Sequence, residues 1–226
     1  MNNFYQIILK PYNKIPEFLK ENFKKDNQEW NHIIYDDQMG YNFILENFDK
    51  KDKILEAFIN GNGKWKCDLL RLCILNKLSG YYLDVDLVNN KKINEFNIPE
   101  EIDTTLCLGA FTPVKGINPL PKGEFAIGFI ICKTPEPLFL DYIKTMGALV
   151  VSTGNPYAIN IQGLYVFLCK RWNIDFIEPF KIYTDNLNNR KYNFLKEVKM
   201  DNKFKIINKN NDIIVHSQEL PKKYFI

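Results

Sequence analysis

Two short segments carry charged residues whose types and spacing could do chemistry. Asp68 and Arg71 are three residues apart, so they are neighbours on one face of a helix. Asp84 and Asp86 are two residues apart, so they share one face of an extended strand end. Three carboxylates brought together repel one another unless a cation lies between them, and oxygen ligands suit Mg²⁺ or Mn²⁺ better than zinc. The pattern predicts a divalent-metal site able to bridge substrate phosphates and neutralise a leaving phosphate.

Each half of this pattern also has a simpler interpretation. Asp68 and Arg71 alone would be a solvent-facing ion pair on a helix, which contributes only about 0.3 kcal/mol. Asp84 and Asp86 alone would be a polar strand end that begins a loop. The two halves together, separated by one helix and one strand start, favour the metal site.

The elements around these residues are predicted from apolar spacing. Apolar spacing predicts a helix from Lys64, with Cys67, Leu70, Ile74 and Leu78 on one face. Ser79-Gly80 is expected to end this helix with a residue in the left-handed conformation, and a strand is predicted at Tyr81–Leu83. Further strands are predicted at Phe4–Leu9, Trp30–Tyr35, Thr105–Phe111, Phe125–Cys132, Ile174–Ile177, Phe204–Ile207 and Ile213–Val215. Further helices are predicted after Ile15 and at Tyr41–Phe48, Ile54–Ile59, Pro137–Met146 and Pro156–Trp172. This alternation predicts an α/β fold.

Composition limits the class of protein. The chain has 226 residues, of which 46% are hydrophobic and 25% charged, so we expect one globular domain over residues 1–226. A net charge of +3 with interspersed signs does not favour nucleic acid or a membrane surface as partner. The five cysteines are an odd number and widely spread, so we expect reduced thiols. The longest apolar stretch is Phe125–Cys132, which is far shorter than the ~20 residues of a membrane-spanning helix. No signal peptide is visible either, so we expect a cytoplasmic protein.

The segment Asp68-Leu69-Leu70-Arg71, followed by a helix and by Ser79-Gly80-Tyr81-Tyr82-Leu83-Asp84-Val85-Asp86, resembles a known family. It is similar to the glycosyltransferase sugar-binding region containing a DXD motif. Initiating α-mannosyltransferases, capsular polysaccharide transferases and glucosylating cytotoxins share that region. The resemblance implies a GT-A fold, which is a Rossmann-like α/β sandwich with a mixed central sheet. It also implies transfer of a sugar from a nucleotide-sugar donor, most simply a UDP-sugar, to a saccharide or glycan acceptor, with Mn²⁺ or Mg²⁺ and retention of anomeric configuration.

The resemblance also implies roles for individual residues. Asp68 and Arg71 would contact hydroxyls of the donor sugar, and Asp84 would contact ribose and sugar. Asp86 would bind the metal directly, and Asp84 would be a second metal ligand. Tyr82 shares the strand face of Asp84 and either lines the donor pocket or packs in the core. His216 follows a short strand near the C-terminus. It is either a third metal ligand, as in similar enzymes, or a strand-end histidine bonded to backbone or water.

The chain departs from the family pattern and leaves two rival functions open. The first strand lacks the family's tryptophan, so Tyr5 or Tyr35 is the expected aromatic platform for a nucleotide base. The segment Asp84-Val85-Asp86 also resembles phosphatases of the haloacid dehalogenase type, in which Asp84 would attack phosphate and Asp86 would act as acid. The other rival is a non-catalytic glycan-binding protein that has kept the fold.

Overall fold

The computed structural model describes residues 2–9, 21, 23, 27–109, 123, 125–154 and 161–218. The chain divides into two compact units. The first contains Met1–Val85, Thr134–Asn160 and Leu220–Ile226, and the second contains Asp86–Lys133 and Ile161–Glu219. The single domain over residues 1–226 stays a prediction. In the described part of the chain, no helix has the length and apolar character needed to cross a membrane.

Three parallel strands and four α-helices are seen among the described residues of the first unit. The strands are β1 (Asn2–Ile7), β2 (Trp30–Tyr35) and β3 (Gly80–Leu83), with β1 in the middle. The helices are α1 (Asp37–Asn47), α2 (Ile54–Asn60), α3 (Gly63–Lys77) and α4 (Leu138–Thr153). The register that pairs Tyr5 with Tyr82 sets the carboxyl ends of β1 and β3 at one edge of this sheet.

Helix α3 is the predicted Lys64 helix, and it lies deep in the first unit. Asn62 caps its N-terminus by accepting a hydrogen bond from the backbone N–H of Trp65 at 3.3 Å. Every residue from Asp68 to Asn76 is buried, so the helix packs on most of its surface rather than on one stripe. A charged side chain on α3 must therefore find its partners inside the protein.

The predicted left-handed stop after α3 is corrected by the structure. The helix ends at Leu78, whose backbone is extended with φ −126°. Gly80 is the residue with positive φ, at +152°. A Cβ there would lie 2.5 Å from the carbonyl oxygen of Asn3 and 2.5 Å from the ring of Tyr5. Glycine is thus required because β3 starts in close contact with β1, and not because it caps the helix.

The second unit contains a mixed sheet and one α-helix in its described residues. The elements are β4 (Leu87–Asn89), β5 (Thr104–Leu108), β6 (Phe125–Cys132), α5 (Ile161–Trp172), β7 (Ile182–Asp185), β8 (Arg190–Met200), β9 (Lys203–Ile207) and β10 (Ile213–Ser217). The sheet order is β6-β5-β8-β9-β10-β4, with β7 paired to β8. The pair β5–β8 is parallel and the other described pairs are antiparallel. The predicted α/β class with a mixed sheet is confirmed.

Some predicted elements differ from the structure. Ile174–Ile177 is not a strand, and the backbone N–H of Ile177 donates to the hydroxyl of Tyr165 at 2.9 Å instead of to a neighbouring strand. Strands β4, β7 and β8 were not predicted. Of the helix expected after Ile15, only Glu21 and Phe23 are described, and both are helical; the first residues of the helix expected from Pro156 lie outside the described residues.

Candidate functional site

Arg71 is the centre of the candidate site. Its guanidinium binds two carboxylates, with Nη2 at 2.9 Å from Oδ1 of Asp68 and Nη1 at 3.1 Å from Oδ1 of Asp84. Its Nε donates to the carbonyl oxygen of Cys67 at 3.2 Å. The side chain of Arg71 is only 4% exposed. These bonds fix both the position and the orientation of the guanidinium plane.

Tyr82 completes this cluster from strand β3. Its hydroxyl donates to Oδ1 of Asp84 at 2.5 Å, and the guanidinium of Arg71 lies over its ring, 4.7 Å from the centroid. Tyr82 is 1% exposed, whereas the side chain of Asp84 is 33% exposed. Tyr82 therefore packs in the core and also orients Asp84, whose carboxylate is the part of the cluster most open to solvent.

Local chain geometry explains why these four residues meet. Asp68 and Arg71 lie three residues apart on α3, and Tyr82 and Asp84 lie two residues apart at the end of β3. The chain from α3 passes through Gly80 directly into β3, so the helix and the end of that strand belong to one continuous segment. The predicted convergence of Asp68, Arg71 and Asp84 is what the structure shows.

The charges of the cluster follow from its burial. Burial disfavours the charged guanidinium, but the carboxylates of Asp84 and Asp68 outweigh it and raise the pKa of Arg71, which stays cationic. Burial raises the pKa of the Asp68 carboxyl, and Arg71 opposes this only in part. Burial also raises the pKa of Tyr82 well above its usual value, so its hydroxyl keeps its proton and remains a donor to Asp84. The site thus presents a fixed cation between two acidic side chains.

Cys67 borders the cluster without a chemical role of its own. Burial raises the pKa of its thiol to about 12. A thiol with that pKa stays protonated near neutral pH and is a poor nucleophile. This agrees with the interpretation of Cys67 as a packing residue.

Asp86 belongs to the second unit. Strand β3 ends at Leu83, and Val85 and Asp86 form a turn before β4. The expectation that Asp84 and Asp86 share one face of an extended strand end is therefore wrong. The carbonyl oxygen of Asp86 accepts a hydrogen bond from the backbone N–H of Gln218 at 2.8 Å. This bond ties the turn to the end of β10.

His216 lies on β10, between β9 and β4. It is directly opposite Val88 on β4 and Lys205 on β9. Burial lowers the pKa of its imidazole, and Lys203 and Lys205 lower it further, so the ring is neutral near pH 7. Within the described residues, its buried Nδ1 has no hydrogen-bond partner. A neutral imidazole with an unpartnered nitrogen can accept a metal ion or a donor group.

The described residues do not include a group of three His, Cys, Asp or Glu side chains able to hold a metal on their own. Both oxygens of Asp84 already accept bonds from Arg71, and one also accepts from Tyr82. Asp86 and His216 are the remaining candidate ligands, one with a carboxylate and one with a neutral imidazole. Together these two donor types would suit Mn²⁺ better than Mg²⁺, because Mg²⁺ prefers oxygen ligands.

The expected aromatic platform on the first two strands is not supported by the structure. Tyr5 is fully buried and its hydroxyl donates to the carbonyl oxygen of Ser79 at 3.0 Å. Tyr35 is 7% exposed. Neither ring offers an open face to a base. The sequence alone did not show that β1 lies between β2 and β3, or that the ring of Tyr35 packs against Phe43 of α1.

Comparisons with known proteins bear on the same segment. Residues 17–103 match the model of the family described as glycosyltransferase sugar-binding region containing DXD motif. Among solved structures, the PaToxG glycosyltransferase is similar with a TM-score of 0.48 and 14% identity, over 74% of this chain and 69% of that chain. No curated protein matches the sequence. The resemblance drawn from the sequence is confirmed over residues 17–103.

Proposed function

Because residues 17–103 match the model of the DXD glycosyltransferase sugar-binding region, we propose that this chain transfers a hexosyl or N-acetylhexosaminyl group from a nucleotide sugar. The proposed donor is a UDP-sugar, the proposed acceptor is a saccharide or glycan, and the configuration at the anomeric carbon is retained. The observation that carries the proposal is the buried Arg71 held between Asp68 and Asp84.

The geometry of the cluster suits a sugar with adjacent hydroxyls. Carboxylate oxygens accept hydrogen bonds from hydroxyls, and a guanidinium donates to them, so alternating Asp68, Arg71 and Asp84 can bind a diol at several points. Because Tyr82 and Arg71 already fix Asp84, little reorganisation is needed when the sugar binds. We assign donor-sugar binding to Asp68, Arg71 and Asp84, and the orientation of Asp84 to Tyr82.

The transfer itself needs charge stabilisation at the leaving group. The bond between the anomeric carbon and the diphosphate oxygen breaks with its electron pair on that oxygen. The acceptor oxygen then bonds to the anomeric carbon, and its proton passes to the departing diphosphate. Asp86 and His216 are the proposed ligands of Mn²⁺ or Mg²⁺, and when bound this ion supplies positive charge for the diphosphate. Arg71 supplies a second, permanent charge on the sugar side.

The phosphatase hypothesis is less compatible with the site. It requires Asp84 as a free nucleophile, but both of its carboxylate oxygens are bonded to Arg71 and one also to Tyr82. It also gives no role to Asp68. The glycosyltransferase explains all four residues of the cluster.

The test compares two aspartates that both lie outside the helices and strands. We expect Asp86→Asn to lower Mn²⁺-dependent release of UDP from UDP-sugars by about 100-fold or more, because the metal loses its carboxylate. Asp175→Asn makes the same chemical change in an exposed bend between α5 and β7 and should leave release unchanged. Calorimetric titration with Mn²⁺ gives a second readout that does not depend on turnover. Wild-type activity and Mn²⁺ affinity in Asp86→Asn would exclude the metal assignment.

A further inference from the structure

One face of the sheet in the second unit gathers polar side chains beside Asp86. On β9 and β10, Lys205 is directly opposite His216. Residues directly opposite each other point to the same face, and so do residues two apart on one strand. Lys203, Lys205 and His216 therefore share one face, which we call the basic face. Gln218 directly follows β10, and the bond from its N–H to the carbonyl oxygen of Asp86 joins the Asp86 turn to the end of this strand.

The two lysines of the basic face are in different states. Lys205 has a side chain 15% exposed, and its Nζ pairs with Asp201 at 3.0 Å, which holds it in place. Lys203 is exposed, and among the described residues no carboxylate pairs with it. Both are close enough to His216 to lower the pKa of its imidazole. Two positive charges thus lie next to a neutral ring and the Asp86 turn.

We propose that Lys203 and Lys205 bind the diphosphate of the nucleotide-sugar donor and of the nucleoside diphosphate product. This inference rests on the proposed function, because it places the leaving group beside Asp86 and His216. A diphosphate carries several negative charges, and an ammonium group binds phosphate oxygen as a compact charge. The lysines supply positive charge that remains when the metal is absent. They therefore predict diphosphate binding that does not depend on metal.

The test measures binding of inorganic pyrophosphate and of UDP in excess EDTA by isothermal titration calorimetry. We expect Lys203→Gln and Lys205→Gln each to weaken binding about 10-fold, the usual effect of losing one charged hydrogen bond. Lys199→Gln is the matched control. Lys199 is an exposed lysine of β8 that lies opposite Phe204 of β9. Phe204 stands between Lys203 and Lys205 in the strand, so Phe204 and Lys199 point to the face opposite the basic face. It should change binding by less than about 2-fold.

A second control separates the charge of Lys205 from its ion pair. Asp201→Asn removes the partner but leaves the ammonium group, so pyrophosphate binding should stay the same or become tighter. Equal effects of Lys203→Gln, Lys205→Gln and Lys199→Gln would overturn the inference, as would a wild-type protein that binds no pyrophosphate in EDTA. If the lysines are needed for pyrophosphate but wild type with Mn²⁺ releases no UDP from any UDP-sugar, the transferase proposal fails and the diphosphate site stands.

Discussion

The burial of Arg71 between two carboxylates predicts a large loss of stability in Arg71→Met. Arg71 and Asp68 form their ion pair at 2.9 Å with side chains only 4% and 11% exposed. Removing one member of a buried pair leaves the other as an unpaired charge, which costs about 3–5 kcal/mol. Asp84 adds at most about 1 kcal/mol, because its side chain is one-third exposed and water can replace the arginine. We expect the loss to be dominated by Asp68.

The assay is urea unfolding combined with thermal melting. For a chain of this length each kcal/mol shifts Tm by about 2–4 °C, so a loss of about 3–5 kcal/mol corresponds to about 6–20 °C. The double variant Asp68→Asn/Arg71→Met contains no buried charge at this pair, and we expect it to be about 1–3 kcal/mol more stable than Arg71→Met. A single variant within about 1 kcal/mol of wild type, or a double variant no more stable than the single one, would refute this reasoning.

Three further predictions follow from the same region. Burial raises the folded-state pKa of Asp68 above its unfolded value. The neutral carboxyl of Asp68 therefore stabilises the folded state fully below about pH 4, and this stabilisation is lost as the pH rises through the folded-state pKa. The free energy of unfolding of wild type relative to Asp68→Asn should fall over that range in urea titrations, and a rise would contradict the sign. Tyr82→Phe removes the 2.5 Å hydrogen bond to Asp84, so it should lower the free energy of unfolding in urea by about 1–2 kcal/mol and also lower kcat/KM. Unchanged values in both assays would contradict this role of Tyr82. Gly80→Ala should lower the free energy of unfolding by about 2 kcal/mol or more, because φ at this position is +152° and the new Cβ would lie 2.5 Å from the Tyr5 ring. An unchanged Tm would contradict the close contact of β3 with β1.

Local spacing was enough to predict the centre of the site. The i, i+3 relation of Asp68 and Arg71 and the i, i+2 relation of Tyr82 and Asp84 depend only on helix and strand geometry. Both elements were predictable from apolar periodicity, and so Asp68, Arg71 and Asp84 could be expected to meet. The same reasoning also placed Asp86 with them, whereas Tyr82 was placed only on the strand face of Asp84. The hydroxyl of Tyr82 on Asp84 was not predicted, because it depends on how far the ring extends once the strand has ended.

Contacts between distant segments of the chain were not predictable in the same way. Strand β8 has polar residues such as Lys196 and Lys199 among its apolar ones, and it is stabilised by pairing with β5 and β9. The apolar run Ile174–Ile177 suggested a strand, yet the hydroxyl of Tyr165 takes the place of a partner strand at Ile177. The position of Asp86 also depends on a distant segment, because its carbonyl oxygen accepts a hydrogen bond from the N–H of Gln218. For this reason Asp86 was not predictable from its spacing to Asp84.

The hydrogen bond from Nε of Arg71 to the carbonyl oxygen of Cys67 connects the site to the backbone of α3. Cys67 lies one helical turn before Arg71, so this turn cannot open locally without also breaking the ion pairs to Asp68 and Asp84. Amide hydrogens in the middle of α3 should therefore exchange with solvent only through rare, larger openings of the structure. A sugar that engages the two carboxylates would make those openings rarer still. Hydrogen exchange along α3 would then report the occupancy of the site from the backbone itself.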